Sequence, residues 1–260
     1  MGNMHTKDRD IVVPGEILAE GMEFIPGTGT YRDGEKIIAQ MIGLASVNGK
    51  VLKLIPLAGR YVPKVDDIII GRVTEILFSG WMLETNCAYR AMLSLKEGTT
   101  DFVERGANLT QYFNLGDYLV TRIVNVTSQK LLDISMKGPG LRKLRGGQII
   151  SMNNNKVPRV IGKKGSMIAM IKQATGCQIT VGQNGLVWLQ GPPKNEVVAI
   201  QAIRMIEENS HLSGLTEKVK GFLEEKMKGL PVPEFRQERQ DTRKDQLVEF
   251  QMERVNNDDI

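Results

Sequence analysis

Apolar residues in the first half of the chain come in short runs cut by glycine, proline and asparagine. IVVPGEIL opens the pattern at Ile11, and the stretch from Gly21 to Leu57 continues it, with Asn48-Gly49 between two apolar runs as a hairpin signal. Residues 1–62 therefore predict a small β unit. Residues 63–137 continue the same alternation, with DIIIGRVTEIL, GWMLETN, YRAMLSL, DYLVTRIVNV and KLLDISM separated by glycine, asparagine and polar turns. Five strands in a segment of this length suit a small closed barrel. KGPGLRKLRGG holds glycine, proline and basic residues with little to bury, so 138–146 reads as a basic linker.

Past it the pattern turns mixed: strand QIISM, turn NNN, short helix VPRVI, loop GKKG, helix SMIAMIKQA, strand CQITV, a turn, strand LVWLQ and helix KNEVVAIQAIRMIEE. Residues 147–209 thus run β-α-α-β-β-α. Met167, Ile168, Met170 and Ile171 form one apolar face, and Val197, Val198, Ile200, Ala202, Ile203 and Ile206 another, so both helices can cover one side of a three-stranded sheet. Leu215–Lys228 predicts a further helix. Beyond Pro231 the chain is acidic and poor in large apolar residues, so 210–260 reads as a C-terminal helix followed by a flexible charged tail. The expected fold class is a mostly β front half followed by an α+β unit.

Composition narrows this picture. A chain of 260 residues has room for two or three ordinary domains, and 27 glycines with 5% aromatics suit short strands and tight turns. No apolar stretch approaches the roughly 20 residues that span a membrane, and Met1–Asp10 is too polar for a signal peptide. A soluble cytoplasmic protein without membrane association is expected. Cys87 and Cys177 have neither metal-ligand nor redox spacing and read as packed thiols of a reducing compartment. Net charge is +4, but from Lys137 to Lys194 there are ten basic residues and no acidic one, whereas residues 1–62 balance at 7 against 7 and 231–260 carry 5 basic and 8 acidic residues. Such an acid-free stretch is the footprint of a polyanion-binding surface; a solvated basic face without a partner is the alternative.

The sharpest chemical signal is VIGKKGSMI, residues 160–168. Gly162 and Gly165 let backbone approach backbone, the free amides of the helix from Ser166 face an anion, and Lys163 and Lys164 add charge for phosphate. Gly-x-x-x-x-Gly-Lys-Ser/Thr spacing is absent, which excludes a nucleotide P-loop. A Gly-x-x-Gly loop between two helices in a β-α-α-β-β-α unit resembles the KH family in its type I topology. The resemblance implies that Gly162, Lys163, Lys164 and Gly165 clamp the backbone of about four nucleotides, with Ser166 beside them and Lys156 and Arg159 as flanking helpers.

GRVTEILFSGWMLET and LGDYLVTRIVNV resemble an S1 RNA-binding domain, an OB-type barrel that stacks bases on aromatics over a basic groove. Ser79, Met82 and Met92 stand where many S1 domains carry aromatics or a histidine, so the stacking surface is depleted. Phe78 and Trp81 remain as aromatics, with Arg72, Arg90 and Arg122 for phosphate; the alternative for both aromatics is a place in the barrel core or a protein interface. VVPGE at 12–16, PGTGTYRDGEKI at 26–37 and GRYVPKVDDIIIGRV at 59–73, in the order β unit, S1, KH, resemble the S1/KH cap subunit of the archaeal exosome over residues 11–209. GQNG at 182–185 is similar to a Gly-x-Asn-Gly signature of that family and is also a plain hairpin turn. The resemblance implies a non-catalytic subunit of a 3′–5′ RNA-degrading complex. Three copies would cap a hexameric ring of RNase PH-like subunits, bind single-stranded RNA with a preference for adenine-rich 3′ tails, and feed it into the ring, which alone performs phosphorolysis. The charge-balanced front unit would dock on the ring, and another exosome cap protein is a further candidate partner there.

An enzyme reading finds little support. His5 and His211 lie outside the recognisable domains, and no metal cluster, cofactor motif or nucleophile motif appears. Polynucleotide phosphorylase carries KH before S1, behind catalytic domains missing here. A free-standing S1/KH regulator of translation is the remaining rival, and it would need no docking unit.

Overall fold

The computed structural model describes residues 2–228 except 58, 100–107, 128, 130, 211 and 213; the expected flexible tail and His211 lie outside the described residues. The front unit holds eight short strands: β1 (Asn3–Met4), β2 (Ile11–Val12), β3 (Ile17–Glu20), β4 (Ile25–Pro26), β5 (Thr30–Asp33), β6 (Lys36–Ala39), β7 (Gly43–Asn48) and β8 (Val51–Pro56). They form two four-stranded sheets, β1-β3-β6-β5 and β2-β7-β8-β4. Alternation along β8 explains their packing: Leu52 and Leu54 point into a core with Val12, Leu18, Phe24 and Ile37, while Lys53 and Ile55 point out. Asn48 pairs with Val51, so the hairpin sits where expected, turning on Gly49 (φ 60°) and Lys50.

The barrel is β9 (Ile68–Leu77), β10 (Gly80–Glu84), β11 (Arg90–Ser94), β12 (Tyr118–Val126) and β13 (Leu132–Ser135), with a short helix α1 (Leu95–Gly98) after β11. β13 runs parallel to β11 and antiparallel to β12, and these two pairings close the sheet on itself. The expected linker departs from this plan. Arg142–Leu144 forms β14, paired antiparallel to β12 with Leu144 opposite Tyr118, so the segment extends the barrel sheet instead of bridging two domains. Leu144 is buried, and Lys143 forms an ion pair with Asp117.

The third unit is β15 (Gln148–Ser151), α2 (Val157–Ile161), α3 (Ser166–Thr175), β16 (Gln178–Val181), β17 (Leu186–Gln190) and α4 (Pro193–Glu208), with sheet order β15-β17-β16, antiparallel throughout. Met167 and Ile171 of α3 and Val198, Ala202, Ile203 and Ile206 of α4 share its core. So do Leu215, Val219 and Leu223 of α5 (Leu215–Lys226), which extends this core past residue 209.

Barrel and third unit are locked together around one side chain. The turn between β16 and β17 inserts Asn184, fully buried, against β9: its amide nitrogen donates to Ile70 O at 2.7 Å and Thr85 O at 2.8 Å, and its oxygen accepts from Ile70 N at 3.3 Å. Asn86 Nδ2 donates back to Asn184 O at 3.0 Å, and Gln183 N to Ile68 O at 2.8 Å. Beside this clamp Trp188 of β17 packs on Ile70, Val120 and Leu144, while its Nε1 donates to Gly146 O at 2.8 Å. Replacing Asn184 by Ala removes three buried bonds and leaves their backbone partners on Ile70 and Thr85 unsatisfied. We expect a loss of roughly 3 kcal/mol, at about 1 per bond, read by urea denaturation, with barrel and third unit unfolding in separate steps.

Candidate nucleic-acid interface

α2 begins at Val157 with Pro158 in its first turn, where a missing N–H costs nothing, and it ends at Gly162. Gly162 has φ 75°, and a Cβ there would lie 2.7 Å from the Met167 backbone nitrogen, so the loop can fold back onto α3 only with glycine at this position. Lys164 is left-handed (φ 54°, ψ 29°) and Gly165 follows at φ 79°, directly before α3. No side chain caps α3; the Gly165 amide donates to Gly162 O at 3.2 Å and the Ser166 amide to Lys163 O, and the helix N-terminus adds its partial positive charge behind them. Lys163, Lys164 and Ser166 are exposed, and neither lysine has an ion pair among the described residues. The result is a tight loop that closes on its own carbonyls and carries two exposed, unneutralised ammonium groups, suited to a chain of phosphates.

The flanking basic residues are placed differently. Lys156 Nζ donates to Glu207 O at 2.8 Å and Arg159 Nη2 to Leu212 O at 3.1 Å, so both hold the end of α4 and the segment after it. They brace the loop's helix first; a phosphate would have to share their donors.

On the barrel, Trp81 requires a correction. It is fully buried, its Nε1 donates to Phe113 O at 3.1 Å, and its ring meets the Phe113 ring edge-on at 4.9 Å. It is a core residue and offers no face to a base. The strand pattern contained the signal: in Gly80–Glu84, Trp81 and Leu83 share the face opposite Glu84, which points to solvent. Phe78 is the reverse case, 99% exposed at the tip of the β9–β10 hairpin. Arg72 pairs with Glu84 at 2.9 Å and Arg90 with Glu75 at 3.4 Å, so phosphate would compete with a carboxylate at each. Arg122 is half-buried on β12.

In the third unit, burial and then the nearby Arg142 guanidinium lower the Lys172 ammonium below its usual range. Burial raises the Cys177 thiol, as suits a packed cysteine. Among the described residues no group of three or more His, Cys, Asp or Glu could hold a metal ion, and no helix is long and apolar enough to cross a membrane. Asn86 and Trp188, which complete the clamp around Asn184, were not marked by any sequence motif.

Three family models match along the chain: the exosome RNA-binding protein RRP4 N-terminal domain at residues 9–58, the RRP4 S1 domain at 60–105 and the KH domain at 147–208. The exosome complex component Rrp4 of Methanothermus fervidus is 41% identical over 85% of this chain and 97% of its own length. That of Thermococcus kodakarensis is 38% identical over 88% and 91%. A crystal structure of an exosome complex RNA-binding protein superposes with TM-score 0.60 at 30% identity, covering 65% of this chain and 98% of that one.

The loop lysines generate a direct expectation. Lys163→Asp plus Lys164→Asp should leave the melting temperature unchanged, since both side chains are exposed and unpaired. Affinity for single-stranded RNA should fall roughly tenfold or more, and the slope of log K against log salt should shrink by about 1.4, at ~0.7 per lost phosphate contact. Anisotropy titrations at several salt concentrations check it.

Proposed function

The chain belongs to the Rrp4 family of exosome components with S1 and KH RNA-binding domains, and from that membership we propose a non-catalytic cytoplasmic subunit that gathers RNA for the degrading ring. Three copies cap a hexameric ring of RNase PH-like subunits, capture adenine-rich single-stranded 3′ ends, and pass them to the ring, where phosphorolysis takes place. The observation that carries this reading is the GKKG loop: two exposed lysines without an ion pair among the described residues, held by glycines at the head of α3, on a stretch without acidic residues. Such a surface holds a backbone without reading much sequence, which suits a subunit that receives many RNAs.

The front unit supplies the docking surface in this reading. Most of the exposed large apolar side chains among the described residues precede residue 69, including Ile11, Val13, Met22, Ile25, Ile55 and Val62. Ile11, Leu44 and Ile55 lie in one cross-strand row on the outer face of β2-β7-β8, opposite the face that buries Val12, Ala45 and Leu54. Apolar surface of this kind, with balanced charge, is what a protein interface covers.

Mixing the protein with an RNase PH-like hexameric ring and following decay of an adenine-tailed RNA tests the proposal. The protein alone should leave the RNA intact, and with the ring it should accelerate decay. Lys163→Asp plus Lys164→Asp should still bind the ring but stimulate less, and Ile11→Asp should weaken ring binding while leaving RNA affinity unchanged. RNA binding without any association with the ring would favour the free-standing regulator instead.

A further inference from the structure

The segment after the front unit passes beside the Asn153–Asn155 turn of the KH unit and frames a groove of about 490 Å³ where all three domains meet. Met41 and Pro56 line it from the front unit, Val62 from the connecting segment and Pro158 from α2. This apolar wall faces polar chemistry with no partner of its own. Asn155 lines the groove, and its side-chain nitrogen is buried without a hydrogen-bond partner, while its oxygen accepts from Asn154 Nδ2 at 3.3 Å. An orphaned buried donor is rare in a folded chain and points to an absent acceptor. Arg60 and Lys64 stand exposed at the same groove, and neither has an ion pair among the described residues. The carboxylate there, Asp67, is engaged by the Tyr61 hydroxyl at 2.5 Å. Burial, and then that carboxylate, raises the Tyr61 hydroxyl above its usual range, so it stays protonated as a donor that holds Asp67, which makes no ion pair with Arg60 or Lys64.

We propose that this groove holds one nucleotide of single-stranded RNA, as an extension of the strand clamped by the GKKG loop. The base lies on the apolar wall and presents an acceptor to Asn155 Nδ2, whose amide turns out of its buried position to meet it, and the phosphate lies between Arg60 and Lys64. Position supports continuity. Pro158 borders the groove in the first turn of α2, and the loop begins at Gly162 at the other end of the same helix. Five helical residues rise about 7.5 Å, so one strand can occupy both places. The site rests on the reading of the loop as a clamp and extends the contact beyond the about four nucleotides a KH unit holds.

Anisotropy titration of the full chain with four- and eight-nucleotide oligoadenylates tests it. Arg60→Glu plus Lys64→Glu should weaken the eight-mer roughly tenfold, to the affinity of the four-mer, and leave the four-mer unchanged. Asn155→Ser should reproduce the length-selective loss at smaller size without altering charge. Lys163→Asp plus Lys164→Asp should weaken both lengths. Equal losses on the two RNAs in the Arg60/Lys64 variant, or no loss on either, would overturn the groove. Loop variants without effect beside an intact length-selective loss would sink the clamp reading and keep the groove.

Discussion

A single buried amide sets the geometry on which the RNA-facing surface depends. Asn184 satisfies both backbone groups of Ile70 and the carbonyl of Thr85, so the KH turn completes hydrogen bonds that the barrel leaves open. Because an unmade buried bond costs more than a made one gains, the clamp acts chiefly by penalising every other docking angle. Trp188 adds apolar burial beside it, which is adhesive but not directional. With β14 running along β12 and leading straight into β15, S1 and KH behave as one block, and the loop at Gly162–Gly165 projects from a fixed place on it.

Charge is divided unequally across that block. The barrel's outward arginines meet glutamates across strands, Arg72 with Glu84 and Arg90 with Glu75, so its outer face is largely neutralised. Lys163 and Lys164 face no acid, and screening over about 8 Å at physiological salt keeps their attraction local to the loop. The exposed, unpaired cations of the GKKG loop therefore stand apart from the paired arginines of the barrel. The barrel contributes rigidity and, through the fully exposed Phe78, a single aromatic for contact with a base or another chain.

Features with local causes were legible in the sequence. The β7–β8 hairpin follows from Asn48-Gly49 between apolar runs, the KH order from a change of period, and the loop from glycines that a close approach and positive φ demand. The linker misled because β14 has a single inward anchor, Leu144, among basic residues; the unpaired edge of β12, a tertiary feature, makes it a strand. Trp81 was readable as core, because strand alternation places it with Leu83 and not with the solvent-facing Glu84. Asn184 was visible as a turn residue. Its burial was not, since a hairpin asparagine is ordinarily exposed and only the approach of β9 removes its water.

The same limit explains why the junction groove has no sequence motif. Its pieces come from Met41, Arg60, Asn155 and Pro158, which belong to different domains, and they converge only because the connecting segment and the Asn184 clamp hold the three units in register. A site built this way depends on domain placement more than on any one residue. Loosening the clamp should therefore disturb the groove while the GKKG loop, whose shape is set within α2 and α3, keeps its local geometry. Loop and groove thus separate by mechanism: one is written in consecutive residues, the other in the way the domains are joined.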